Sequence, residues 1–485
     1  MNFRASFKAS LAAAVLCMSV RGQEIKSPPA NVPANVHINR LLVVLAPAAP
    51  AERTVRYPLL PDPLDLKPGN AAPLWLHAGL LIKENAPKIK SDEYLAMIYP
   101  TPEQAAKQTP KAIREFLDHF GPSLRLADQA ARCASCDWGR PAITVENTND
   151  VVPLPQVQLC RELASLLGCR YRLELAEKRF DKAIYTLQTG LTLGRHVAIG
   201  GSLLEYLVGN AIASVQFGKV EDWMRTPGAP DLYWSLTELP SPFLELRPII
   251  AYELNTIYRS YPSLRRLNLM RSNERLTAAE VDRLADDFFT TLNKWQDDKK
   301  SAWSDKIAGS VLVMSSLAGA KKYLRERGWS DERLNATPAL AIVVSSFLGQ
   351  YDEACDDALK WMSVPAWQGR DELERVVKKA TDAAKTNRNP LVVLMFPAAT
   401  KSYQTWLRME RKIATLRTAE AIRIYAAAHG GKPPAKLSDI TAVPLPIDPA
   451  TGKGFDDDYS VKDGTGVLEV NPLFWSWRYE LPPAI

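Results

Sequence analysis

Phe180-Asp-Lys-Ala183-Ile184-Tyr-Thr-Leu187-Gln-Thr-Gly190-Leu191-Thr-Leu-Gly194-Arg-His-Val-Ala198 places its apolar and small residues three and four positions apart. That period puts them on one face of an α-helix. Upstream, Leu159, Leu163, Leu166, Leu167 and Tyr171 give a second apolar face. Downstream, after Gly200-Gly201, a third begins with Leu204, Leu207, Val208, Ala211, Ile212 and Val215. Three helices of about four to five turns, joined by very short loops, must pack antiparallel, because so few residues can only reverse the chain. Ala183, Gly190 and Gly194 would let neighbouring backbones approach closely.

Proline placement organises the rest. Residues 23–75 hold ten prolines and read as an extended arm wrapping a body, whereas 156–226, 263–337 and 398–432 hold none. Leu276-Thr277-Ala-Ala-Glu280-Val281 reads as a capping box with a hydrophobic staple. Beyond it Leu284, Phe288, Phe289, Leu292 and Trp295 line one helical face, and Asp282, Asp286, Asp287, Asp297 and Asp298 fall largely on the other, a solvated side. Phe180-Asp-Lys-Ala183 and Tyr351-Asp-Glu-Ala354 share a local pattern seen where the second helix of a tetratricopeptide-type hairpin begins. No 34-residue period links the two.

A helix from about Ala398 to His429 is expected, with Trp406, Met409, Ile413, Leu416, Ala419, Ile422 and Ala426 on one face and an end at His429-Gly430-Gly431. Tyr459–Val461 and Gly466–Val470, around Asp463-Gly464, read as a β-hairpin. The fold class is therefore mainly α: packed antiparallel helical hairpins, tetratricopeptide-like in part, with a small C-terminal α+β module. The expected organisation is a signal peptide at 1–22, a proline-rich arm at 23–75, a helical body at 76–397, and a C-terminal helix-plus-hairpin module at 398–485.

With 485 residues, 46% hydrophobic and 24% charged, the composition suits a globular protein and excludes collagen-like, disordered and multi-span membrane classes. Sixty Lys+Arg against 54 Asp+Glu leave +6, spread along the chain with no dense basic run, so a nucleic-acid partner is not expected. Arg4 and Lys8, the apolar stretch Ala9–Val20 and Val20-Arg21-Gly22 before Gln23 have the layout of a secretory signal peptide. No later apolar run is long enough for a transmembrane helix. Export to the periplasm or cell surface follows.

Five cysteines remain after the signal: Cys133, Cys136, Cys160, Cys169 and Cys355. Cys133-Ala-Ser-Cys136 fits a redox pair, half a zinc site, a local disulfide or plain structural thiols, the last being preferred. Cys160 and Cys169 fall on opposite faces of one helix, which argues against their completing a zinc site. The histidines (His37, His77, His119, His196 and His429) have no metal spacing. No nucleophile elbow, phosphate loop or dinucleotide fingerprint is present, and no cofactor is expected. Glu205 and Glu253 lie near apolar helical stretches, and nothing in the sequence brings them together.

Several stretches together resemble a family of uncharacterised exported proteins of planctomycete-type bacteria. They are Leu66-Lys-Pro-Gly-Asn-Ala-Ala-Pro73, Cys136-Asp-Trp-Gly139, Arg179–Gly190 with Arg195-His-Val197, Pro227–Trp234, and Ile422-Arg-Ile-Tyr425 with His429-Gly430, Asp448-Pro449 and Gly452-Lys453. The resemblance implies export and a mostly helical body, without an assigned activity. Asn471–Trp477 stands where such proteins usually have a glycine-rich tail.

The same ending is similar to the globular part of type II secretion pseudopilins, without their long apolar assembly helix. That likeness brings in Asp456, Asp457, Asp458 and Asp463 as calcium candidates, against a reading as solvated loop acids. The leading functional expectation is an exported, non-catalytic helical scaffold for an unknown protein partner, with Arg179, Asp231, Tyr233 and Trp234 as candidate contacts. The alternatives are a secretion- or pilin-system component, and a hydrolase with a cleft between helical body and C-terminal module.

Overall fold

A computed structural model describes residues 40–49, 57–86, 89–139, 155–260, 263–268, 276–277, 279–281, 283, 302–386, 389–470 and 476–482. The expected signal peptide, Cys17, Leu284 to Trp295 and the acids Asp282, Asp286, Asp287, Asp297 and Asp298 lie outside them. The architecture is mainly α with a small sheet near the C-terminal end.

The described residues form two units. One comprises those within 245–404; the other comprises those within 40–139, 155–244 and 405–482. Residues 76–397, expected as one helical body, are thus shared between the two.

The larger unit opens with strand β1 (Arg40–Val44). Strand β2 (Lys67–Asn70) runs directly into helix α1 (Ala71–Asn85), whose first turn is capped by the Asn70 side chain. The expected arm therefore contains two strands, and a helix begins inside it. Pro73 sits in the first turn of α1, where a missing N–H costs little. Helix α2 (Gly121–Ala131) packs on α1 and is followed by strand β3 (Cys133–Ser135), which pairs parallel with β2.

The three helices expected from the apolar period follow as α3 (Pro155–Ala176), α4 (Phe180–Ala198) and α5 (Leu203–Arg225). Gly201 takes φ +98° in the α4–α5 turn, a left-handed conformation that favours glycine. Ser202 and Glu205 then form a capping box for α5, which gives the buried Glu205 a structural role. The small residues act as expected at Gly194 and Gly209. A Cβ on Gly209 would lie 2.5 Å from Ala198 N and Gly194 O, so the two backbones touch with no side chain between them. Two mid-helix glycines cost roughly 1 kcal/mol each in propensity, and close packing offsets it.

In the smaller unit, α6 (Ala302–Arg325) and α8 (Ala366–Thr386) both pack on α7 (Ala339–Trp361). Tyr351 lies in the middle of α7, so the pattern at Tyr351–Ala354 does not mark a helix start, whereas Phe180 does open α4. The Thr277–Glu280 capping box is formed, with Thr277 N donating to Glu280 Oε2 at 2.9 Å.

Helix α9 (Pro390–Ala428) starts earlier than expected, and the unit boundary falls within it. Six of the seven residues of its predicted face, Met409, Ile413, Leu416, Ala419, Ile422 and Ala426, are 9% exposed or less, and Trp406 is half-buried. Strands β4 (Tyr459–Lys462) and β5 (Thr465–Val470) form the expected hairpin, with Asp463 at φ 50° and Gly464 at φ 76° in its turn. The sheet is larger than that hairpin. Strand β6 (Ser476–Leu481) pairs antiparallel with β5, and β1 joins β6 in parallel, giving the order β1-β6-β5-β4. Val43, Tyr479 and Leu468 stand side by side across it and are buried.

Candidate functional site

The richest convergence of polar side chains in the larger unit runs along α2, α3 and α4. Apolar positions fix how these helices pack, and the positions between them aim charged groups into one seam. Asp128 comes from α2, Arg170 and Glu174 from α3, and Thr186 and Thr189 from α4. Arg170 donates to both Asp128 oxygens, at 2.7 and 2.9 Å, and its Nε donates to Thr186 Oγ1 at 2.8 Å. Thr186 in turn donates to Glu174 at 2.6 Å, and Thr189 to Asp128 at 3.0 Å. Burial pushes the Glu174 carboxyl up to about 7, against the pull of Arg170 and the Thr186 hydrogen bond.

At the outer edge of this seam the Arg132 guanidinium lies over the Tyr185 ring, 3.5 Å from its centroid. Arg132 donates to Thr189 Oγ1 at 3.0 Å, Gln188 Oε1 at 2.9 Å and the Asp128 carbonyl at 3.3 Å. Gln188 is itself held by donating to the Pro58 carbonyl at 2.8 Å. Asp65 is close enough to act on both Arg132 and Tyr185, and its neighbour Leu64 is 93% exposed. Tyr185 is 41% exposed. The arrangement is a fixed cation–aromatic platform open to solvent.

The sequence-predicted contacts divide. Arg179 stands at the residue before α4, with no capping bond from its side chain, and pairs with Glu177 at 2.5 Å, and Glu177 also takes Arg114. It shares none of these partners with the other three. Asp231 accepts the Tyr233 N–H at 3.3 Å, and burial pushes its carboxyl up. Tyr233 is fully buried, donating its hydroxyl to the Pro444 carbonyl, and Trp234 meets it edge-on at 5.3 Å between centroids. These residues form a packing joint.

Beside that joint lie charges that the sequence reading missed. Arg423 is wholly buried on α9. It donates to the Ala46 carbonyl at 2.7 Å, the Ala229 carbonyl at 2.9 Å and Glu420 at 2.7 Å. Burial pushes the Glu420 carboxyl up to about 7. About three turns earlier on α9, Lys412 pairs with Glu221 and donates to the Tyr479 hydroxyl at 2.8 Å, while that hydroxyl donates to Glu221 at 2.9 Å. Arg411 pairs with Asp448 at 2.7 Å, and Asp448 also accepts the Ala450 N–H at 2.8 Å. The Asp448-Pro449 motif is thus a loop anchor. An apolar period cannot signal these residues, because a buried cation interrupts the pattern in the same way as an exposed one.

Cys133, Cys136, Cys160, Cys169 and Cys355 are all free thiols. Cys133 opens β3 and Cys136 follows its last residue, and no disulfide joins them. Burial pushes the Cys136 thiol up to about 12, which leaves it protonated and a poor nucleophile. Asp456, Asp457 and Asp458 form one 3₁₀ turn, and Asp463 sits in the hairpin turn. Among the described residues no three His, Cys, Asp or Glu side chains group so that they could hold a metal ion. His196 accepts the Trp75 indole N–H on Nδ1 at 3.0 Å, and burial, helped by Arg195, lowers it to about 4. No described helix is long and apolar enough to cross a membrane.

No family model, no curated protein and no solved structure matches the chain.

Proposed function

We propose that this chain is an exported, non-catalytic helical protein of the periplasm or cell surface that docks a protein partner on the Arg132–Tyr185 platform. The observation that carries the reading is the stack itself. Arg and Tyr are enriched at the centres of protein interfaces, and an anchor fixed before binding loses little side-chain freedom on association. Asp128 is taken by Arg170, so Arg132 has only neutral groups as hydrogen-bond partners and suits a partner carboxylate. The exposed Leu64 would add apolar contact at the rim. Export rests on the cationic and apolar layout of residues 1–22.

The test is capture by the mature chain from envelope extract, with and without reductant. Arg132→Ala and Tyr185→Ala should each weaken capture at least tenfold, while Lys111→Ala, a change at an exposed lysine, leaves it unchanged. Equal capture by all three, or recovery of the protein from the cytosolic fraction, would overturn the reading. A secretion-apparatus component is a second reading, supported by the likeness of α9 and its following hairpin to pseudopilins. It requires co-purification with an envelope assembly, and a free periplasmic monomer would end it.

A further inference from the structure

Arg132 leads directly into β3, and Asp65 and Leu66 lead directly into β2. The platform and the β2–β3 pair therefore share one place in the fold, joined where Lys67 N donates to the Arg132 carbonyl at 2.8 Å. The two strands run parallel, and no third strand joins them among the described residues. All of β2 is exposed, and so are Ala134 and Ser135 of β3. Parallel sheets are normally wider than two strands and covered on both faces. This one has the form of a sheet that lacks a strand.

Its two outer edges differ. β2 carries Pro68, which has no N–H to give, so that edge is closed to a further strand. On β3 the alternation of a ladder decides. With the Arg132 carbonyl turned to β2, the N–H and C=O groups of Cys133 and Ser135 turn to the outer side. The strand is also fixed beforehand. Asn70 Nδ2 donates to the Asp137 carbonyl at 2.7 Å, and Asn70 Oδ1 accepts the Asp137 N–H at 2.8 Å. Ser135 Oγ donates to the Gly69 carbonyl at 2.8 Å. An edge held extended in this way loses little freedom when another chain adds to it.

We infer that the partner docks as an extended acidic segment, which adds to β3 as a third strand and sets a glutamate or aspartate on Arg132. The inference rests on the Arg132–Tyr185 platform and gives its partner a chemistry. Charge selects the side chain. Arg132 donates only to Thr189, Gln188 and the Asp128 carbonyl, all neutral, and stands one residue before the receiving edge. Main-chain hydrogen bonds to Cys133 and Ser135 supply affinity, and the guanidinium supplies the preference for a carboxylate.

Fluorescence anisotropy of the full mature chain tests the mode with a short capped peptide of alternating valine and threonine around a central glutamate. The peptide should bind saturably below about 1 mM. Its fully N-methylated form keeps the side chains and removes every main-chain donor, so it should bind at least about tenfold more weakly. Glutamine in place of the glutamate should weaken binding about three- to tenfold on the unmodified chain and change nothing on Arg132→Ala. Ser135→Pro, which removes an outward N–H, should abolish binding, and Ser135→Ala should keep it. No saturable binding up to about 1 mM, or equal binding of the N-methylated form, would overturn strand addition. Arg132-dependent capture from envelope extract would then keep the platform alone. Equal binding of the glutamate and glutamine peptides would overturn the acidic contact and the role given to Arg132. If Ser135→Pro fails to fold, the two peptide comparisons on the unmodified chain still decide.

Discussion

The α4–α5 pair and helix α9 hold the same unit together by opposite means. Between α4 and α5 the chain removes side chains altogether, so backbone meets backbone at Gly194 and Gly209. Along α9 it inserts long charged side chains: Lys412 and Arg411 reach across to Glu221 and Asp448, and Arg423, paired with Glu420 on its own helix, reaches across to the Ala46 and Ala229 carbonyls. The first contact depends on shape and tolerates no added volume. The second depends on pairing and tolerates no lost partner. Dispersion and close packing serve where two regular helices lie side by side. Where a helix must bind irregular turns such as those at Ala46 and Ala229, a buried guanidinium with several donors reaches carbonyls that another helix cannot.

The largest effect should come from breaking the charged side. Arg423→Met leaves Glu420 buried without its cation and the Ala46 carbonyl unpaired, while the Ala229 carbonyl keeps the Ala49 N–H. Urea unfolding at pH 8 should show a loss of about 3–5 kcal/mol, and the double change with Glu420→Leu should recover part of it. A loss under about 1 kcal/mol would mean that α9 is held by apolar packing alone, as α4–α5 is.

The packing side is tested by two glycines of the same helix. Gly209→Ala puts a methyl 2.5 Å from two backbone atoms and should cost about 2–3 kcal/mol. Gly218→Ala meets nothing within 4 Å and should instead gain roughly 0.5–1 kcal/mol from helix propensity. Equal melting temperatures for the two variants would remove the claim that backbone contact is what α4 and α5 share.

A smaller effect, read by pH, belongs to the seam beside α4. Glu174 sits at about 7 in the folded chain against an ordinary value of 4.5, so the folded state binds its proton more tightly than the unfolded state does. The stability this gives is complete below 4.5 and is lost as pH rises through 7. Relative to Glu174→Gln, the unmodified chain should therefore lose roughly 1–3 kcal/mol between pH 4.5 and 8. Parallel stability curves for the two proteins would show that Arg170 fully compensates the buried charge.

What was legible in the sequence follows the same division. Alternation at three and four residues located α3, α4 and α5 and the turn at Gly200-Gly201, because amphipathic helices write their packing locally. Asp463-Gly464 marked the β4–β5 turn for the same reason. The strands β1 and β6 left no such trace: Arg40 pairs with Ser476, and no local pattern encodes a parallel partner so distant. Arg423 and Lys412 were missed because their burial depends on carboxylates and carbonyls brought from other elements. Of the candidate contacts, Tyr233 proved to be a core residue, since an aromatic beside an acid reads the same whether it faces a partner or packs inward. Arg132 and Tyr185 lay beside or within stretches already singled out, yet their stacking depends on how α2 and α4 pack together, which no local pattern encodes.

The β1–β6 register carries a kinetic consequence. An edge strand laid down near residue 40 cannot acquire its neighbour until a segment roughly 430 residues further along has emerged, so closing the sheet is among the most non-local events this chain undergoes. Until then β1 stays single, and exposed strand edges invite wrong pairing. Late closure of this kind leaves the sheet unfinished for most of the chain's synthesis.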